Sequence, residues 1–123
     1  MKRVFALLSL VCALFVASAC HYDVSLSVEA SADLNSLQLN TPVHITSTEY
    51  YRFHRKSLSK EDLAYIFADL LRINHVDYDF QTATLYLSIF DEISGKFLRN
   101  ETYGVVYDSF KGQYAFADLD AEY

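Results

Sequence analysis

Three side chains able to bind a divalent cation alternate along one short segment of the chain. If residues 75–79 form a strand, His75, Asp77 and Asp79 lie on one face, where an imidazole and two carboxylates could share a metal ion. The same alternation arises in any strand that has one buried and one solvated face. We therefore favour a solvated strand face and predict no metal and no cofactor.

Other groups suited to catalysis are sparse. The acidic pairs Asp91–Glu92 and Asp118–Asp120 could act as acid and base only if they converged on a pocket with separated pKa values, and as turn or tail charges they need no such role. No GxSxG, Walker-type glycine loop, CxxC or HExxH pattern occurs, and the chain holds only three glycines. We predict that the protein is not an enzyme.

The first nineteen residues have the pattern of a secretory signal that is cut off. Lys2 and Arg3 form a basic end, residues 4–16 are almost entirely apolar, and small residues then lead to Cys20. The apolar run is shorter than the roughly 20 residues that a membrane helix needs. Removal of Met1–Ala19 leaves residues 20–123, which are enough for one domain with one core.

Ala17-Ser18-Ala19-Cys20 resembles the lipobox of bacterial lipoproteins, in which the cysteine is diacylated before cleavage makes it the new N-terminus. The resemblance implies that Cys20 carries a lipid anchor. The alternative is an ordinary secretory signal followed by one cysteine, but an unpaired thiol is a liability in an oxidising compartment. In lipoproteins an Asp after the cysteine is the usual inner-membrane retention signal, so His21 implies the outer membrane and a domain facing the periplasm.

The composition of residues 20–123 argues against nucleic-acid binding. The chain has ten basic and sixteen acidic residues, and Lys2 and Arg3 are removed with the signal. Acidic residues therefore outnumber the remaining basic ones, and we expect no extended basic face of the kind that binds nucleic acids. The one basic cluster consists of Arg52, His54, Arg55 and Lys56. We favour a solvated strand end for this cluster over a phosphate or lipid-headgroup site. The ten tyrosines favour pleated structure and a surface suited to contacts.

Periodicity predicts a mainly β domain. Apolar and polar residues alternate from Tyr22 to Glu29, and Val43–Phe53 is rich in β-branched and aromatic residues. Between these two strands, Ala30–Thr41 lacks periodicity over its whole length and predicts a loop. Further strands are predicted at residues 76–80, 84–90, 102–110 and 113–119, with turns at residues 91–96 and 111–112.

One amphipathic helix is predicted near residues 59–73. Ser59 can cap its first amides, while Glu61 and Asp62 complement the helix dipole. Five apolar side chains then share one face, and they are Leu63, Ile66, Phe67, Leu70 and Leu71. The order of elements favours a small antiparallel β-sandwich with this one helix.

Several segments resemble the TssJ family, the outer-membrane lipoproteins of type VI secretion. They are Val24–Asn35, Thr41–Ile45, Tyr50–Phe53 and Tyr103–Val106, with the helix at Ser57–Leu71 in the place of the family's short helix. The resemblance implies a transthyretin-like β-sandwich whose first inter-strand loop binds the periplasmic domain of the inner-membrane protein TssM.

On this chain the implied partner-binding loop is Ala30–Thr41. Its contact residues would be Leu34, Asn35, Leu37, Gln38 and Leu39. Alternatively, the three leucines fold back on the core.

These features predict a non-catalytic adaptor that ties another envelope protein, with a TssM-like protein as the candidate partner, to the outer membrane. The alternative is a lipoprotein that binds a small ligand, a glycan or a foreign enzyme through its aromatic residues. A protruding loop favours the adaptor, and a concave aromatic pocket favours the alternative.

Overall fold

The computed structural model describes residues 24–35, 41–77 and 79–119. The predicted signal and Cys20 lie outside these residues. The described part is mainly β with one helix, as the sequence predicts. Its elements are β1 (Leu26–Asn35), β2 (Val43–Thr46), β3 (Tyr51–Phe53), α1 (Lys60–Ile73), β4 (Thr82–Asp91), β5 (Phe97–Asp108) and β6 (Gln113–Asp118).

All six strands belong to one antiparallel sheet with the order β2-β1-β4-β5-β6, and β3 pairs with β1 on the same side as β2. β1 pairs with β4 along its whole length, from Leu26 opposite Asp91 to Asn35 opposite Thr82. The predicted turns at residues 91–96 and 111–112 are confirmed, and they connect β4, β5 and β6 as a meander.

The helix α1 packs against one face of this sheet, and the hydrophobic core lies between them. Side chains of a strand alternate between the two faces of the sheet. In β1 and β4 every second residue is apolar, so these side chains all point toward α1. The fully buried side chains include Leu26, Val28, Leu34, Leu85, Leu87, Ile89, Val105, Ile66, Phe67 and Leu70. Among the described residues no second sheet covers the opposite face, so the sandwich and its transthyretin-like form are not confirmed.

The predicted helix is confirmed in both its bounds and its buried face. Ser59 is the N-cap, and its hydroxyl accepts a hydrogen bond from the Asp62 amide at 3.2 Å. The Asp62 carboxylate in turn accepts one from the Ser59 amide at 2.9 Å, which completes a capping box. Four of the five predicted apolar residues are buried, and Leu71 is partly buried.

The predicted strand at residues 76–80 is wrong: residues 76, 77, 79 and 80, which the structure describes, lie in no strand, and Val76 completes the end of the helix instead. His75 has a left-handed backbone with φ 53°, and its amide donates to the Arg72 carbonyl. The next amide, Val76, donates to the Leu71 carbonyl at 3.0 Å. This pair of bonds is a Schellman motif, which uses the backbone donors that a sheet would need.

The first two predicted strands also differ from the structure. β1 runs to Asn35, so the first half of the predicted Ala30–Thr41 loop is strand. The predicted Val43–Phe53 strand is broken into β2 and β3. After β2, the Ser47 amide still donates to the Ala30 carbonyl, and pairing with β1 resumes where Tyr51 lies opposite Val28. The three residues 48–50 between these points lie opposite the single residue Glu29. Within the described residues, no helix has the length and apolar character needed to cross a membrane.

Candidate functional site: a tyrosine-lined groove

Only some of the predicted contact residues lie in the described part of the chain. Leu34 is in β1, and its side chain is 0 % exposed in the core, as in the fold-back alternative. Asn35 ends the same strand with an exposed side chain that donates to the Thr82 hydroxyl at 3.0 Å. Leu37, Gln38 and Leu39 lie outside the described residues.

A groove of about 990 Å³ opens between the broken edge of the sheet and the C-terminal half of α1. One wall is the segment that leads into and forms β3, and the other is one face of α1. Three tyrosines dominate the lining, so we call it the tyrosine groove. It is lined by Thr48, Glu49, Tyr50, Tyr51, Arg52, Phe53, Tyr65, Asp69, Arg72 and Ile73.

Hydrogen bonds hold the floor of the tyrosine groove in one arrangement. The Tyr51 hydroxyl donates to Asp69 Oδ2 at 2.6 Å, and the Arg72 guanidinium donates to Asp69 Oδ1 at 2.5 Å. The rings of Tyr51 and Tyr65 meet edge to face with their centroids 6.0 Å apart. Tyr65 is 61 % exposed at the rim, so its ring is available to a ligand.

The same contacts shift the ionisation of the groove residues. Hydrogen bonds from Tyr51 and then Arg72 lower the pKa of the Asp69 carboxyl. Partial burial, and then the hydrogen bond to Asp69, raise the pKa of the Tyr51 hydroxyl above its ordinary value. Asp69 is therefore ionised and Tyr51 neutral at neutral pH, which is the pairing that the hydrogen bond requires.

No family model, no curated protein and no solved structure matches this chain.

Replacing Asp69 by asparagine is expected to lower the free energy of unfolding by about 1 kcal/mol at neutral pH, because a hydrogen bond to a charged acceptor is lost. A carboxyl whose pKa is lowered by folding stabilises the protein above its ordinary pKa of 3.8, and this contribution disappears as the pH falls through the folded value. The difference between the wild type and D69N should therefore shrink in acid. Urea unfolding across this pH range measures it.

The matched control for this experiment is Asp77→Asn, which removes an exposed carboxylate outside the groove. At neutral pH, D77N should keep the free energy of unfolding of the wild type. A D69N difference that stays constant down to the lowest pH would contradict the role given to the ionised carboxylate.

A second polar cluster lies on the open face of the sheet. Asp33 accepts from Tyr86 at 3.1 Å and contacts His44 Nδ1 at 2.6 Å. A histidine beside an aspartate forms part of a hydrolytic triad, but a triad also needs a nucleophile on the other imidazole nitrogen. Among the described residues no hydroxyl occupies that position, and the cluster is open to solvent. The arrangement acts as cross-strand pairing between β1, β2 and β4.

The segment that carries His75, Asp77 and Asp79 is not a strand, so the alternation that would bring these side chains together is absent. Within the described residues no group of three His, Cys, Asp or Glu side chains is placed to hold a metal ion.

Two residues of the basic cluster, which begins within β3, form ion pairs. Arg52 contacts Glu92 at 3.2 Å, and Arg55 contacts Asp62 at 3.3 Å. The His54 ring lies 2.9 Å from the Ser25 hydroxyl. These local partners agree with a solvated strand end.

The tyrosine groove is not among the sites predicted from the sequence. One signal was present: Tyr65, Asp69 and Arg72 are spaced i, i+4 and i+7, which places them on one helical face beside the apolar stripe. Their contact with Tyr51 depends on how α1 crosses the sheet, and local patterns do not contain that information.

Proposed function

We propose that this protein is an outer-membrane lipoprotein, anchored by acyl chains on Cys20, that binds another envelope protein without catalysing a reaction. The observation that carries the proposal is the tyrosine groove. It joins exposed aromatic rings to an arginine and a carboxylate in a concave surface at the edge of the domain.

The chemistry of the groove suits protein recognition. Tyrosine and arginine are the residue types that most often dominate binding energy at interfaces, since each offers a large contact area and directional hydrogen bonds. The Tyr51–Asp69–Arg72 bonds already hold the floor in place, so binding loses little side-chain entropy there.

The resemblance to TssJ supports a TssM-like inner-membrane protein as the partner. In that family the first inter-strand loop makes the contact, and on this chain the resemblance places that loop at Ala30–Thr41, of which residues 36–40 lie outside the described part. The groove and this loop are separate candidate surfaces, and one experiment can compare them.

Photo-crosslinking in cells tests the proposal. A photoreactive phenylalanine analogue is placed at Tyr65 in the groove, at Leu37 in the loop, or at Tyr107 as the control. Tyr107 is a matched site, because it is 54 % exposed on β5, away from the groove. We expect one envelope protein to be cross-linked from Tyr65 and absent at Tyr107. Equal products at Tyr65 and Tyr107, or none at Tyr65 or Leu37 from an acylated protein, would contradict the adaptor function.

The shape of the groove also supports a second candidate function, which is binding of a small ligand or glycan. Its volume falls within the range of roughly 300–1,000 Å³ of small-molecule pockets, and tyrosine rings beside charged hydrogen-bonding groups suit a sugar. Calorimetric titration with periplasmic glycan fragments tests this function. Saturable binding that is lost in Tyr65→Ala and kept in Tyr107→Ala would favour it, and no binding to the wild type would reject it.

A further inference from the structure

The start of β1 marks one end of the sheet, which we call the anchor end. Leu26 lies opposite Phe53 of β3 and Asp91 of β4, and the Glu92 amide donates to the Ser25 carbonyl at 3.0 Å. The turn between β4 and β5, residues 91–96, therefore projects from the same end at which the chain arrives from Cys20.

The distance from Cys20 to this end is short. Six residue steps separate Cys20 from Leu26, and an extended chain covers at most about 3.6 Å per residue. Acyl chains on Cys20 would thus hold the anchor end within about 20 Å of the bilayer surface. This step depends on the lipid anchor of the proposed function.

Basic residues are concentrated at the anchor end, although the chain as a whole is acidic. Five of the eight Lys and Arg residues that follow Cys20 lie there, and they are Arg52, Arg55, Lys56, Lys96 and Arg99. The three arginines pair with Glu92, Asp62 and Glu101. Lys56 and Lys96 have no carboxylate within ion-pair distance among the described residues, so their charges are available to a phosphate.

Apolar side chains are exposed in and directly after the turn that carries Lys96. Ile93, at the tip of the turn, is 79 % exposed, and Phe97 directly after the turn is 49 % exposed. The ring of Phe97 lies in a row with those of Phe90 and Tyr50. The ring centroids of Phe97 and Phe90 are 5.6 Å apart, and those of Phe90 and Tyr50 are 5.9 Å apart. Aliphatic and aromatic side chains flanked by lysines are typical of surfaces that enter the headgroup region of a bilayer.

We propose that the turn between β4 and β5 rests on the phospholipid bilayer that holds the anchor. Ile93 and Phe97 enter between the headgroups, while Lys56 and Lys96 contact anionic phosphates. The domain then has a fixed orientation on the membrane, instead of turning freely about its acylated terminus.

Depth-dependent quenching tests this surface. Cleavage removes Cys12 and acylation blocks the Cys20 thiol, so Ile93→Cys provides a single site for an environment-sensitive fluorophore. The acylated protein is placed in vesicles of phosphatidylethanolamine and phosphatidylglycerol that contain nitroxide-labelled lipid. We expect several-fold stronger quenching at position 93 than at Phe110→Cys. Phe110 is a matched control, since it is a fully exposed aromatic residue in the turn at the opposite end of the sheet, next to Lys111.

Two variants separate the charged contribution from the apolar one. Lys56→Gln with Lys96→Gln should reduce quenching at position 93, whereas Lys111→Gln should not. Replacing phosphatidylglycerol by a zwitterionic lipid should have the same effect as the double lysine variant. Equal quenching at positions 93 and 110, or none at position 93, would overturn the proposal.

The mass of the mature N-terminus separates this proposal from the proposed function. If Cys20 carries no diacylglycerol, the anchor is disproved directly. If Cys20 carries the diacylglycerol and quenching at positions 93 and 110 is equal, the anchor of the proposed function stands and the membrane surface alone is overturned.

Discussion

Replacing Phe67 by alanine is expected to remove about 3–5 kcal/mol from the free energy of unfolding. Phe67 is fully buried, and its ring lies at the centre of a cluster between α1 and β6. The centroids of Tyr114, Phe80 and Phe116 are 5.0, 5.9 and 6.1 Å away, all in edge-on geometry. Alanine would leave a cavity that these neighbours cannot fill without breaking their own contacts. Urea unfolding followed by circular dichroism measures the loss.

A change of this size is a large part of the roughly 5–15 kcal/mol that stabilises a small domain, so F67A should unfold at much lower urea or fail to fold. Phe110→Ala is the matched control, because that side chain is fully exposed, and we expect its urea midpoint to stay at the wild-type value. A loss below about 1 kcal/mol in F67A would show that α1 does not pack on the sheet through this ring.

Replacing Cys20 by serine is expected to abolish the lipidated form entirely, so that the protein is found without diacylglycerol, either soluble or with its signal uncleaved. A serine hydroxyl does not substitute for the thiol that receives the diacylglycerol. Two or three acyl chains hold a protein durably on a bilayer, and the domain alone is not expected to replace them. Membrane fractionation with intact-mass analysis of the N-terminus measures the change.

Cys12→Ser is the control for this experiment. Cys12 is the other cysteine of the chain and lies in the segment that is predicted to be removed, so its loss should change neither the mature mass nor the location. A Cys20→Ser protein that stays in the membrane fraction with the wild-type mature mass would rule out the lipid anchor.

The sequence was most informative where one element follows from a single local pattern. The helix α1 could be predicted because five apolar residues and a capping residue agree on the same boundaries. The turns around Gly95 and Gly112 were equally local, since both glycines adopt the positive φ that other residues avoid.

The predictions of secondary structure were wrong where the alternation of apolar and polar residues was weak, or where an alternating segment did not form a strand. Ala30 and Ala32 are buried in β1, but alanine contributes little contrast to an alternating pattern, so the sequence alone predicts a loop there. Residues 76–80 alternate well, yet the Val76 amide, like that of His75 before it, bonds to the end of α1. Only the helical wall of the tyrosine groove has a signal in the sequence, because the two walls meet only when the helix crosses the sheet.

The pairing of β1 has a consequence for the order in which the sheet can form. β1 is made first, but its longest partner is β4, residues 82–91, and the entire helix lies between them in the chain. The contacts within β4, β5 and β6 are local, whereas the contact between β1 and β4 closes a long loop and forms slowly. A chain that emerges amino end first therefore keeps one side of β1 unpaired until β4, which ends at Asp91, has appeared. During that interval the apolar side chains of β1 are exposed, and β1 is the segment most prone to aggregation.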